Sequence, residues 1–310
     1  MFCSTVIPTI GRPTLSRAVN SLLSQTFIAD NFEVIIVNDS GMQLPESDWQ
    51  RSDRVRVIRT NRRERSVARN TGAAAAKGKY LHFLDDDDWL APGALQKFWE
   101  LTRSAKVGWL YGSSQLVDRQ GNPLLQLHHG LDGNCFIQVM AGEWIPLQSS
   151  LICSEIFFAV GGFNPLISGP EDIDLLRRVS LRDDIAGTSE MVAFIEWGRQ
   201  GSSTNYDRHA EFSRFAREHI LDEKNVFLRM RSSAHTDYWY GRIVRAYLTS
   251  LLWNIAHQRP LTAASRAIYS MVSLVLAGKR VMRRDFWRAV SKPYHSETFT
   301  RRLQHTNALA

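Results

Sequence analysis

The sequence predicts an α/β protein with a mostly parallel central sheet flanked by helices, followed by an all-helical C-terminal extension. Three observations carry this expectation. The first hundred residues alternate short β-branched runs with segments of helical period. Beyond Tyr206 the chain reads as helix only. The 310 residues are 44% hydrophobic and 10% aromatic, which suits one large α/β domain with an appendage and excludes wholesale disorder.

In chain order, Ser4–Pro8 is a first strand, ended by the turn Pro8-Thr9-Ile10-Gly11-Arg12-Pro13. A helix over about Thr14–Gln25 sets Leu15, Ala18, Val19, Leu22 and Leu23 on one face. Phe32–Val37 is nearly continuous in apolar residues, as a strand covered on both faces should be, and breaks at Asn38-Asp39-Ser40-Gly41. Val55–Arg59 is a third strand, Ser66–Lys77 an alanine-rich helix closed by Gly78, and Tyr80–Leu84 a fourth strand running into Asp85–Asp88. In open parallel sheets, ligands bind beyond the carboxyl ends of the strands. The segment 8–12, Asp39 and the four aspartates all fall at such ends and should converge on one site.

Further on, Gly93–Arg103 reads as helix and Gly108–Val117 and Met191–Glu196 as strands, with Glu171 starting a helix after Pro170. In the extension, Tyr240, Ile243, Val244, Tyr247, Leu248, Leu251, Leu252 and Ile255 form an apolar stripe that Arg259-Pro260 should stop. A second helix from about Thr262 carries Ile268, Met271, Val272 and Val275 and ends near Gly278. The division expected is residues 1–205 as one domain, with halves over about 1–100 and 101–205. Residues 206–310 form a basic helical extension.

Three cysteines, Cys3, Cys135 and Cys153, are too few for a disulfide framework and fit a reducing cytosol. The N-terminus lacks the basic and apolar regions of a signal peptide. The longest uncharged stretches of the extension, Ala246–Gln258 and Ala267–Gly278, are shorter than the about 20 residues of a spanning helix. Charge is uneven: residues 1–200 hold 20 Lys+Arg against 23 Asp+Glu, and residues 201–310 hold 18 against 8. A tail of net +10 suggests an anionic surface near the C-terminus, with a solvated helical face as the plainer alternative. Lys279, Arg280, Arg283, Arg284 and Arg288 interleave with Val281, Met282, Phe286 and Trp287, a pattern suited to peripheral attachment through 278–293 at the inner face of the plasma membrane.

Four consecutive aspartates at the end of a buried strand repel one another and resist desolvation, and a helix cap needs only one of them. A hard divalent cation, Mg2+ or Mn2+, removes that cost.

The run Arg69-Asn70-Thr71-Gly72, Lys77-Gly78-Lys79-Tyr80-Leu81-His82-Phe83-Leu84 and Asp85–Asp88 resembles the signature of family 2 glycosyltransferases. Val6-Ile7-Pro8-Thr9 with Ser21–Thr26, Val34–Asp39, and Gly161-Gly162-Phe163 followed by Glu171-Asp172-Ile173-Asp174-Leu175 agree in order and spacing. The resemblance covers roughly residues 3–205. It implies the Rossmann-like GT-A fold and an inverting, metal-dependent enzyme of the hexosyltransferase type. Such an enzyme moves a sugar from a nucleotide-sugar, usually a UDP-sugar, to a glycan or lipid-linked glycan hydroxyl in surface polysaccharide or glycoconjugate synthesis.

By the same resemblance, Asp39 binds the nucleotide base, Asp85 and Asp87 are the ends of an Asp-x-Asp motif with Asp87 on the metal, and Asp86 lies near the ribose. Asp172 is the general base, with Glu171 beside it. Pro8, Thr9 and Arg12 line the donor site, and Arg69 either contacts the diphosphate or is an exposed helix arginine. Acids at a helix start also favour the macrodipole, so Glu171 and Asp172 fit either role. The histidine that many relatives carry after the last strand is missing from Glu196–Ser203, leaving Arg199, His128, His129 and His209 as substitutes to weigh. A sugar-1-phosphate nucleotidyltransferase would carry a glycine-rich phosphate loop, and residues 8–13 hold one glycine. A nucleic-acid-binding protein would suit the basic tail, but no zinc or stacking-aromatic motif accompanies it, and no nucleic-acid partner is expected.

Overall fold

The computed structural model describes residues 1–27, 31–61, 64–167, 169–197, 220, 223, 225–231 and 235–292. The chain forms two compact units: Met1–Asn134 with Ile145–Glu223, and Cys135–Trp144 with Lys224–Ala310.

In the first unit, β1 (Cys3–Thr9), β2 (Phe32–Asn38), β3 (Val55–Arg59) and β4 (Tyr80–Phe83) pair in parallel in the order β3-β2-β1-β4. Every residue of β2 is buried, as its continuous apolar run requires. Between these strands run α1 (Leu15–Leu23) and α2 (Arg65–Ala75). Helix α1 buries Leu15, Ala18, Val19 and Leu22, and stops short of Gln25, whose amide instead donates to the Ala91 carbonyl at 2.9 Å. Helix α2 lies directly on the sheet because position 72 is glycine. A Cβ there would stand 2.3 Å from Val6 Cγ1.

Past β4 the sheet becomes mixed. The strands β5 (Trp89–Leu90), β6 (Trp109–Val117), β7 (Pro123–Leu127), β8 (Ser150–Cys153) and β9 (Ile185–Glu196) complete it. The order continues β4-β8-β6-β9-β5, with β7 on β6, and among these pairings only β6 with β9 is parallel. Strands β5, β7 and β8 escape the sequence reading; all three lie in the antiparallel part of the sheet. Helices α3 (Ala94–Ser104), α5 (Ser154–Ala159) and α6 (Glu171–Arg182) belong to this unit, and α4 (Phe136–Met140) to the second.

The second unit is helical: α4, then α7 (Val226–Arg231), α8 (Thr236–Ala256), α9 (Pro260–Ala277) and α10 (Arg284–Ser291). Its described core is small, with Val244, Ala277 and Phe286 buried together. Gly241 lets α8 meet α10, since a Cβ would lie 2.3 Å from the Phe286 carbonyl oxygen. Buried Glu143 accepts from Lys292 Nζ at 2.7 Å and from the Tyr238 hydroxyl. Helix α8 ends at Ala256, just before Arg259-Pro260, and Pro260 opens α9, where its missing N–H costs nothing. Ile268, Met271, Val272 and Val275 on α9 are exposed. One expectation needs correction here. Pro260–Met282, 23 residues of mean hydropathy 1.3, is long and apolar enough to cross a membrane by length and composition. Counting uncharged runs missed it because Arg266 interrupts the segment.

Candidate active site

The carboxyl ends of β1, β2 and β4 are adjacent by register, since Thr9 pairs with Asn38 and Val6 with Phe83. The acidic run therefore folds back over the end of β1. Thr9 Oγ1 donates to Asp86 Oδ2 at 2.6 Å, and Arg12 donates to Asp86 Oδ1 at 2.7 Å and to Asp87 Oδ2 at 3.0 Å. Pro8 sits in β1 just before Thr9, paired with Val37. Asp39 is buried beside them: its N–H donates to the Thr9 carbonyl at 2.8 Å and its carboxylate accepts from Thr60 Oγ1 at 2.6 Å. The Asn38 side chain fixes that turn by accepting from the Ser40 N–H at 3.0 Å and donating to the Met42 carbonyl at 2.7 Å.

Arg69 is not an exposed helix arginine. It is 3% exposed and spans two carboxylates, donating to Asp85 Oδ1 at 2.7 Å and to Glu171 Oε1 at 3.0 Å. Arg65, one turn earlier on α2, donates to the same Glu171 oxygen at 3.2 Å. Glu171 also accepts from the Gly169 N–H at 3.1 Å. Next to it, Asp172 is half-buried in the first turn of α6 and accepts from the Ile173 N–H at 2.8 Å. The glycine turn before α6 is held by Asn70, which donates to the Phe163 carbonyl at 2.8 Å and accepts from its N–H at 2.9 Å. Gly162 takes φ +67°, and a Cβ there would stand 2.7 Å from the Asn70 carboxamide oxygen. Arg69, Asn70 and Gly72 thus serve three purposes from one turn of α2: carboxylate bridging, loop anchoring and close packing.

Oxygen atoms of Asp85, Asp87 and Asp88 lie within 4.8 Å of one another, the cluster of at least three metal-donor side chains among the described residues. Three hard oxygen donors at that spacing fit Mg2+ or Mn2+. The surroundings tune each carboxyl differently. Burial pushes Asp88 well above the usual carboxylate range, reinforced by the charges of Asp85 and Asp87. Burial also raises Asp86, against the opposing hydrogen bond of Thr9 and charge of Arg12. Asp85 is depressed: burial opposes its ionisation, but Arg69, Arg65 and Arg12 together outweigh burial. Arg65 is raised in return, chiefly by Asp85.

Four participants had no part in the expected site. Gln148 donates to Asp85 Oδ2 at 3.2 Å, and its own carbonyl bonds His82 Nε2 at 2.8 Å. Arg17 donates to the Asp87 carbonyl at 2.7 Å and to Glu196 Oε2 at 2.8 Å, with its guanidinium 3.9 Å over the Trp89 ring. Glu196 donates its N–H to Asp88 Oδ1 at 2.8 Å. Arg65 is the fourth. Only Arg17 and Arg65 had a signal, each being a cation on a helix that leaves the end of a strand. Of the histidines weighed as further ligands, His128 Nδ1 bonds Ser113 Oγ at 2.9 Å and buried His129 stacks edge-on against Tyr111. Arg199 and His209 lie outside the described residues.

Residues 4–141 match the family described as Glycosyl transferase family 2. An uncharacterized glycosyltransferase of Haemophilus influenzae is 26% identical over 181 residues, 57% of this chain and 61% of that protein. The poly(ribitol-phosphate) beta-N-acetylglucosaminyltransferase TarP of Staphylococcus aureus is 32% identical over 99 residues, 30% of each chain. The chain thus spans less than two thirds of the length of these relatives. Among solved structures, S. aureus TarS 1–349 in complex with UDP-GlcNAc superposes with a TM-score of 0.60 at 14% identity, covering 88% of this chain and 90% of that one. The shared fold and the match over residues 4–141 agree, and this part of the chain is similar to glycosyl transferase family 2.

Proposed function

We propose that this protein is an inverting glycosyltransferase that moves a sugar from a nucleotide-sugar, a UDP-sugar in particular, to an acceptor hydroxyl. The observation that carries the reading is the Asp85–Arg69–Glu171 bridge, which ties the acidic strand end to the start of α6. The UDP-GlcNAc complex of TarS supports the donor class. Asp39 takes the base, and Asp86, with Thr9 and Arg12, flanks the ribose and phosphates. Asp87 and Asp85 hold Mg2+ or Mn2+, which when bound supplies positive charge to the leaving diphosphate. Asp172 accepts the proton of the acceptor hydroxyl, and that hydroxyl attacks the anomeric carbon opposite the departing nucleotide. Glu171, engaged by two arginines, fixes the direction of Asp172 without exchanging a proton. Arg12, which donates to Asp86 and Asp87, would supply positive charge beside the donor phosphates. The acceptor is a glycan or lipid-linked glycan made on the cytoplasmic side.

Incubation with a panel of nucleotide-sugars and Mg2+ or Mn2+, reading release of the nucleoside diphosphate, tests this. Release of UDP from one sugar class, dependent on the divalent ion, is the expected result. Pyrophosphate release from a sugar phosphate and a nucleoside triphosphate would replace it with nucleotidyl transfer.

A further inference from the structure

Helix α9 is built inside out. The side it buries is small and polar: Ala263, Ser270, Ser273 and Ala277. Its large side chains face away: Leu261 is 87% exposed, Met271 60%, Val275 79% and Leu276 65%, with Ile268 and Val272 between them. At 100° per residue, these six positions span an arc of about 140°, opposite the buried one. A helix docked in a water-soluble core shows the reverse arrangement. Small residues spaced seven apart at 263, 270 and 277 let α9 approach its neighbour closely, the packing preferred where the outer surroundings are apolar. The patch continues onto α8, where Leu252 is 66% and Ile255 59% exposed. Such a surface in contact with water invites association.

The charges around the patch identify its occupant. At the C-terminal end of α9 follow Lys279, Arg280, Arg283, Arg284 and Arg288, with Met282 and Trp287 exposed among them. Arg280 and Arg283 approach Asp237 at 3.6 Å, which leaves the cluster strongly cationic. A second copy of this chain would bring the same cations face to face. An anionic lipid surface answers both features, taking the apolar arc among its acyl chains and the cations at its headgroups. We infer that the outer face of α9, extended by Leu252 and Ile255 of α8, lies in the interface of an anionic membrane leaflet. The helix lies along the surface, because its other face is occupied by protein.

Flotation of the full chain with vesicles of pure phosphatidylcholine and of phosphatidylcholine with about one third phosphatidylglycerol tests this. Val275→Glu/Leu276→Glu alters outward side chains only and should abolish flotation on both. Lys279→Gln/Arg284→Gln should lower partition onto the anionic vesicles by about fivefold per cation removed, an effect that added salt erases. Circular dichroism and donor turnover in detergent-free buffer should match the parent in both variants, which separates this surface from the acidic site. Equal flotation of parent and Glu variant overturns the inference. So does a parent that ignores vesicles but forms a dimer that the Glu pair dissolves, since a second copy then covers the face.

Discussion

Replacing Arg69 by methionine removes the cation between Asp85 and Glu171 while keeping most of the side-chain length. Two short charge-assisted bonds are lost, each worth about 1.5–3 kcal/mol. Neither carboxylate is left bare, because Glu171 retains Arg65 and the Gly169 N–H and Asp85 retains Gln148. The loss should therefore fall below the sum, at about 2–4 kcal/mol, close to what removing one partner of a buried pair costs. Urea unfolding reads this directly. Arg69→Lys should recover part of the loss, since an ammonium restores charge but not the fork that reaches both oxygens. Turnover should fall in both variants, while UDP affinity changes less than about threefold, because Arg69 acts on the direction of α6. The opposite pattern, intact stability with UDP affinity lost, would place Arg69 on the diphosphate and refute the bridge.

Asp87→Ala should abolish transfer and the metal-dependent part of UDP binding by calorimetry, with the fold retained. Near-normal turnover would remove Asp87 from the metal. Asp172→Asn should leave donor binding nearly unchanged and lower turnover by roughly 100-fold or more; weakened donor binding with intact turnover would reassign it. Asp39→Ala should weaken UDP binding by about 1–3 kcal/mol, the value of a charge-assisted bond, and equal affinity would exclude contact with the base. His82, held neutral by burial between Thr5 and the Gln148 carbonyl, is lowered from 6.5 to about 4. The unfolded chain then binds the extra proton, so this contribution is complete above pH 6.5 and is lost as pH falls from 6.5 towards 4. Its limit is about 3 kcal/mol. The midpoint of urea unfolding should drop over that window in the parent and drop less in His82→Gln.

The parallel half of the sheet is legible in the sequence because its strands are buried on both faces and its helices carry one apolar face each. Val55–Arg59 is read to the residue. The convergence of residues 8–12, Asp39 and Asp85–Asp88 follows from the same alternation, since parallel strands align their carboxyl ends. The antiparallel half is less legible. Ser150–Cys153 is four residues between a 3-10 turn and a helix, and only its pairing with β4 and β6 makes it a strand. Gln148 enters the site through that pairing, which no local pattern announces. Arg69 was visible, but its role was not. An arginine on an alanine-rich helix looks solvated until the turn at Gly161-Gly162 brings α6 against it.

The histidine missing after the last strand takes on a different meaning beside these contacts. In its neighbourhood stand Glu196, at the end of β9, and Arg17, which joins Glu196 to the backbone of Asp87. The acidic run is thus enclosed by four arginines: Arg12 and Arg17 from the first strand-to-helix passage, Arg65 and Arg69 from α2. Arg12 and Arg17 contact the run itself, Arg65 contacts its partner Glu171, and Arg69 contacts both. Arginine stays charged at any working pH and holds its partners with a rigid fork. Such a frame favours the ionised form of Asp85 and orients the run before any ligand arrives, at low reorganisation cost. A metal entering among Asp85, Asp87 and Asp88 would compete for carboxylate oxygens with Arg12 at Asp87, with Arg69 and Gln148 at Asp85, and with the Glu196 N–H at Asp88.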